Sequence, residues 1–480
     1  MRHRNGCGAY LTVFLSLSLT VILSVFFALI EGARLGAIRM QAECVADTAA
    51  WSVLAEYHRE LQQRYDLFYI DTSYMSPNAG LSNTERHLKE YMDKNFEKKG
   101  GLLAFREKDF TGLKTQSVAV ENARFAADSH LASLRQQIFA YMSADPAGSV
   151  MAPVLAKVDK FEGIDWDIEK WRKKKEENDA AMEEMLSRQE EETGTAAEAL
   201  PEDNPANEAD ALRIQPALMQ TLPGESNISD AKTDVNRLLS HRQIHIGSAR
   251  EADNSHHYEK AGSLMMDQYI FEKFGRWLNE DPESVLKYQV EYILFGQPSD
   301  RDNLEKMAEK LLILREAANC TYIFSDETKK AQADAMAMVL SVIIMTPELQ
   351  EVIKTAILFG WSYLESVYDV RSLLKGRRVP LMKNESTWQT SLRGIFLPDS
   401  QEDDEGEGFS YEDYLRVLLF AEGMDTKGLR MMDLMECEIR NTEGNENFRM
   451  DWCMDTYTLH AEVQSSFGYH FEIIKEVSYN

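Results

Sequence analysis

The chain opens on an apolar run. Ala9–Ile30 reads AYLTVFLSLSLTVILSVFFALI, 22 residues without a charge. A helix rising ~1.5 Å per residue needs about 20 residues to cross a ~30 Å hydrocarbon core, so this run predicts a transmembrane helix. Arg2 and Arg4 precede it, and the positive-inside rule then keeps residues 1–8 cytoplasmic and exports the chain beyond the span. The run is longer than the apolar region of a cleavable signal peptide, and Glu31-Gly32-Ala33-Arg34 is a poor cleavage site. Ser16, Ser18, Thr20 and Ser24 lie inside the span, where a hydroxyl can bond back to a carbonyl one turn earlier. Past Glu31, apolar or small residues recur at Leu35, Ile38, Ala42, Val45, Ala49, Val53, Tyr57 and Leu61, at helical spacing and without proline. The pattern predicts one helix of about 55 residues, ~80 Å, from Ala9 to about Arg64, with Gly32 and Gly36 permitting a bend near the membrane surface.

Further along, the patterns switch between periods. Asp66–Asp71 reads as a short strand, a helix follows to about Glu97, and Lys114–Asn122 alternates as a second strand. Arg124–Met142 and Leu155–Glu192 read as helices. From Glu190 to about Lys232, four prolines, many acids and few large apolar residues apart from Leu212–Leu222 predict that most of the segment is a flexible linker. Leu264–Leu278, Val285–Phe295, Leu304–Ala318, Thr328–Met345 and Pro347–Lys375 are helical, with Asp326 and Thr346 as N-caps and Gly376 as a terminator. Met336–Met345 is strongly apolar but too short to span a bilayer. Ser400–Gly408 is an acidic loop, Ser410 and Asp413 open another helix as a capping box, and Gly428–Arg440 is spaced helically. At the C-terminus Tyr457, Leu459, Ala461 and Val463, then Phe467, Tyr469, Phe471, Ile473, Val477 and Tyr479, fall on one parity broken only by Lys475. This predicts a hairpin with one buried face.

The predicted fold is α+β and mainly helical: a long N-terminal transmembrane helix, a small antiparallel sheet from both chain ends, and an inserted helical bundle. The predicted segments are 1–8 cytoplasmic, 9–30 transmembrane, 31–189 helix extension and first part of an α+β domain, 190–232 linker, 233–425 helical domain, and 426–480 a helix and β-hairpin completing the sheet.

Composition changes this picture little. The 480 residues, 44% hydrophobic and 27% charged, suit two to four folded domains rather than a disordered chain. Charge matters more. With 52 Lys+Arg and 79 Asp+Glu the net charge is −27, and removing Arg2 and Arg4 leaves −29 on the exported side. Such a balance argues against a nucleic-acid partner, which needs cations to neutralise phosphates.

No catalytic constellation emerges. His241 and His245 share a helical spacing, and His256, His257 and Glu259 follow, but position 242 is Arg where a zinc-protease motif has Glu. Asp399–Glu407 has the carboxylates of a calcium loop without its spacing or its turn glycine. Among Cys7, Cys44, Cys320, Cys437 and Cys453, the pair Cys437 and Cys453 is the nearest exported one, and thiols are the default reading. No nucleophile elbow, phosphate loop or dinucleotide fingerprint occurs. No catalytic, cofactor-binding or metal-binding residue is therefore assigned, no cofactor is expected, and the chain is not expected to be an enzyme.

The apolar run ending in Ile30-Glu31-Gly32-Ala33-Arg34, followed by Met40-Gln41-Ala42-Glu43 and Ala46-Asp47-Thr48-Ala49-Ala50, resembles the N-terminus of Tad-pilus pseudopilin-like proteins of the TadE/TadG type. The remainder is similar to a family of uncharacterised proteins of Gram-positive anaerobes, through Leu54–Asp71, Leu286–Ser299, Leu311–Asn319, Arg430–Leu434 and Phe448–Cys453. Type IV-like prepilins are cut after a glycine and carry a Glu five residues later; cutting after Gly8 puts Val13 there, and no acid precedes Glu31. The resemblance implies a single-pass, pseudopilin-like cell-envelope protein acting in assembly of a Tad-like pilus or secretion apparatus. Its partners would be the lipid bilayer and other pilus or secretion-system subunits, reached through residues 9–61. The alternative expectation is a membrane-anchored extracellular binding or sensory domain.

Overall fold

The computed structural model describes residues 6–97, 112–144, 148–164, 166–193, 204–224, 227–248, 259–392 and 408–479. They form two compact units. The first comprises residues 1–137, 244–254 and 442–480, and the second 138–243 and 255–441.

The first unit is built on α1 (Gly6–Leu54), which is unbroken through Gly32 and Gly36. The helix ends earlier than its periodicity predicts. His58 starts a separate α2 (Arg59–Tyr65) by accepting the Leu61 N–H on its ring, and Asp66, at φ 53°, closes it in the left-handed region. A short β1 (Ile70–Asp71) and α3 (Leu81–Phe96) follow. Then β2 (Lys114–Phe125) runs three residues past its predicted end, so 124–125 are strand and the next helix, α4 (Ala132–Ala144), begins late. The buried anchor at that point explains the correction. Arg124 pairs with Asp455 at 2.7 Å, and the same carboxylate accepts the Ser133 hydroxyl.

The C-terminal hairpin is β3 (Cys453–Gln464) and β4 (His470–Ser478). β3 is the centre of the antiparallel sheet. It pairs with β2 from Lys114↔Gln464 to Phe125↔Met454, with β4 from Thr456↔Ser478 to Gln464↔His470, and with β1 at Ile70↔Met454. Both chain ends thus contribute strands. Tyr457, Leu459, Ala461 and Val463 are buried in one core with Ile38, Ala42, Val45, Ala49 and Val53 of α1. The exception in the β4 alternation has a cause as well: Lys475 reaches Asp47 on α1 at 3.0 Å.

The second unit is helical. Its elements are α5 (Gly148–Glu162), α6 (Ile168–Thr193), α7 (Pro205–Arg213), α8 (Ala217–Thr221), α9 (Glu259–Lys273) and α10 (Gln289–Phe295). They continue with α11 (Asp300–Ile323), α12 (Glu327–Ile343), α13 (Gln350–Leu374), α14 (Tyr411–Ala421) and α15 (Met424–Arg440). α13 is the hub, packed against α6, α7, α8, α11 and α12. The linker reading of 190–232 fails over 204–224, because α7 and α8 dock on α13 and α11. The close approach is made by small residues. A Cβ at Gly360 would stand 2.4 Å from the Pro205 carbonyl oxygen, and Ala206 and Ala209 are buried beside it. Few large apolar residues were needed, so composition misled. The division into units also moves residues 138–189 and α15 into the helical unit.

Caps hold at most predicted sites. Asp326 accepts the Lys329 N–H, Ser410 and Asp413 form a capping box, and Gly376 ends α13 at φ 81°. Thr346 makes no side-chain cap, and a 3₁₀ turn at Pro347–Leu349 precedes α13 instead.

Candidate functional site

The feature that most distinguishes this chain is α1. From Tyr10 to Ile30 its apolar side chains are exposed, from 45% at Leu23 to 81% at Tyr10. An apolar helix surface of this length left open to water is unfavourable at roughly 25 cal/mol per Å². The helix is long and apolar enough to cross a membrane. Three of its hydroxyls bond back to the helix itself: Ser16 donates to the Val13 carbonyl at 2.9 Å, Thr20 to Ser16 at 2.7 Å and Ser24 to Val21 at 2.8 Å.

The first charges mark where the protein begins to cover the helix. Arg34 lies 3.1 Å from the centre of the Phe467 ring, and Tyr469 donates to Glu31. Both aromatic residues belong to the β3–β4 turn region, so the hairpin tip caps α1 at its first charged turn. Beyond it one face is buried at Ile38, Ala42, Val45, Ala46, Ala49, Ala50 and Val53. Four of these are alanines, which let the helix lie close to the sheet. Tyr457 donates to the Ala50 carbonyl at 3.1 Å, and Tyr479 donates to that of Leu54. The opposite face carries Ala33, Ala37, Met40, Cys44 and Trp51, all exposed.

The residues weighed for chemistry are not brought together. His241 lies in a 3₁₀ turn, Leu239–His241. His245 stacks flat on Trp452 with ring centres 3.6 Å apart, and its backbone N–H donates to Asp451. Burial pushes its imidazole below the usual value. His256 and His257 lie outside the described residues, as does the acidic segment 399–407. Among the described residues no three His, Cys, Asp or Glu side chains are placed to hold a metal. Cys44, Cys320, Cys437 and Cys453 are free thiols.

Sequence reasoning missed the buried charges of the helical unit. Arg315, 0% exposed, pairs with Asp369 at 2.9 Å; Lys383 bridges Asp369 at 2.7 Å and Glu365 at 2.6 Å. Asn319 donates to the same Asp369 oxygen. Lys427 pairs with Asp267 at 2.5 Å, and burial pushes that carboxyl up to about 6. Glu291 accepts from Tyr411 and from the Trp277 N–H on one oxygen, and burial pushes it up to about 7. These groups join helices to each other, and the cavity lined by Asp267, Gln268 and Arg416 has room for about one water molecule. The available signal was polar residues inside apolar helical stretches, Arg315 in LLILREAAN and Glu291 in QVEYILF.

Residues 195–465 match the family described as a family of unknown function (DUF5702). The chain belongs to this family. The DUF5702 match includes the helices from α7 onward and all of β3, and leaves α1, β1, β2 and β4 outside it. No curated protein and no solved structure matches the chain.

Proposed function

We propose that the chain is a single-pass, pseudopilin-like cell-envelope protein, non-enzymatic, that acts in assembly of a Tad-like pilus or secretion apparatus. α1 crosses the bilayer between about Ala9 and Ile30, with residues 1–8 in the cytoplasm and the sheet and helical units outside. The single observation that carries the reading is the continuity of α1. One rigid helix of 49 residues runs from a fully exposed apolar half into the core of a sheet. A force or displacement applied to the span is delivered to the sheet without a hinge. The charge supports the orientation, since Arg2 and Arg4 flank one end of the span and a strongly acidic chain lies beyond the other.

The surface offered to other envelope subunits is the outer face of α1, because the stripe through Ile38 and Val45 is spent on the chain's own sheet. The test is cysteine cross-linking at Ala37 or Met40, both exposed on the outer face, in cells that express the pilus system. Capture of a pilus or secretion component at either site is expected, and a Cys at buried Ile38 should capture none. Capture of no such component at Ala37 or Met40 overturns the reading.

A further inference from the structure

The outer face of α12 has no partner among the described residues. Its inner face packs into the helical unit through Ala333, Ala337, Leu340 and Ile344. A helix lying on a globular surface carries polar side chains opposite such a face. Here the stretch Ala331–Thr346 contains one charge, Asp334. Met338 is 58% exposed, Val339 60%, Val342 62%, Ile343 47% and Met345 84%. Together they present on the order of 500 Å² of apolar surface at one end of a helix, as large as the patches that mark interaction sites on soluble proteins.

The spacing says what kind of surface this is. Thr328, Ala331, Ala335, Met338 and Val342 are exposed on α12 and follow one another at alternating intervals of three and four, the seam of a two-helix coiled coil; Met345 lies just past the helix end, at φ 58°. The seam is graded in size, small in its N-terminal half and large in its C-terminal half. Antiparallel pairing with a second α12 sets Ala335 against Met338 of the second copy and Ala331 against Val342. Every layer then holds one small and one large side chain and fills evenly, as close packing demands. Parallel pairing would crowd Met338 on Met338 at one end and leave alanine gaps at the other. Because Ile343 stands off the seam and Met345 lies past the helix end, two copies paired along it bury less than about 1,000 Å², the size of a weak, transient contact. A lipid surface fits less well, because exposed Glu348 and Glu351 follow the apolar tip and anionic headgroups repel them.

We infer that α12 is a self-association surface, on which two copies of this chain pair their α12 helices antiparallel. The test uses the full-length chain in detergent, with Cys7→Ser and Cys44→Ser to remove both thiols of α1. Two differently tagged copies are co-expressed, one with Ala331→Cys and one with Val342→Cys, and oxidised. A disulfide between the two tags is expected, and likewise for Ala335→Cys with Met338→Cys. Copies that both carry Ala331→Cys should not join, since in this register those positions lie ~16 Å apart along the axis. Adding Val342→Asp to the Ala335/Met338 pair should lower its cross-linked yield at least tenfold with an unchanged unfolding midpoint, because residue 342 is at the surface. Absence of both mixed disulfides, joining through Ala331→Cys alone, or a yield that Val342→Asp does not change would each overturn the inference.

Discussion

Glu291 shows how strongly single residues are tuned inside the helical unit. Its side chain is fully buried, one oxygen accepts from Tyr411 and Trp277, and the other has no partner among the described residues. Burial holds its carboxyl at about 7 against 4.5 in an unfolded chain. Between those values the folded state binds the extra proton, so stability is highest below pH ~4.5 and falls as pH rises toward ~7, by about 3 kcal/mol for this group. Glu291→Gln keeps the acceptor and supplies an N–H in place of the acid proton. It is expected to flatten the decline in unfolding midpoint between pH 5 and 8 relative to wild type. An unchanged slope in the variant would show that Glu291 is ionised when folded. The Arg315–Asp369–Lys383–Glu365 cluster works by a different principle: two cations are matched by two carboxylates. Neither arrangement was legible in the sequence, because a charged residue at helical spacing usually lies on a solvated face. Burial by neighbours far along the chain, such as Lys383 on Asp369, leaves no local mark.

Elements were read better than residues. The hairpin was legible because its alternation is long and only one residue breaks it, and Lys475 does so in order to reach α1. Capping chemistry placed the starts of α12 and α14 for the same local reason. What failed was tertiary. Thr346 had the right type for a cap and no geometry for it, α7 docked through alanines that composition counted as weak, and 124–125 stayed extended to pair with β3. The α1–sheet contact gives a direct test of element packing. Ala49 is 0% exposed against the sheet core. Ala49→Leu adds volume where the helix lies closest and is expected to destabilise the first unit by about 1–3 kcal/mol. Chemical unfolding followed by Trp452 fluorescence reads this, and an unshifted midpoint would mean that α1 is loosely seated.

On the scale of the whole molecule, one helix belongs to two environments. Its apolar half was legible in the sequence through length and the absence of charge, and its buried half through period. That the two halves form a single helix was legible too, in helical spacing that continues past Glu31 without proline; that the hairpin tip meets α1 at its first charges was not, since that contact joins residues 31–34 to residues 467–469. The native cysteines allow the central claim to be measured in place. Cys7 precedes the apolar run, Cys44 is exposed beyond it, and Cys320 and Cys453 are buried. A membrane-impermeant maleimide applied to intact cells should label the chain, Cys44→Ser should abolish most of that label, and Cys7 should react only after permeabilisation. Labelling of Cys7 in intact cells, or of Cys44 only after permeabilisation, would contradict a single span with the folded units outside.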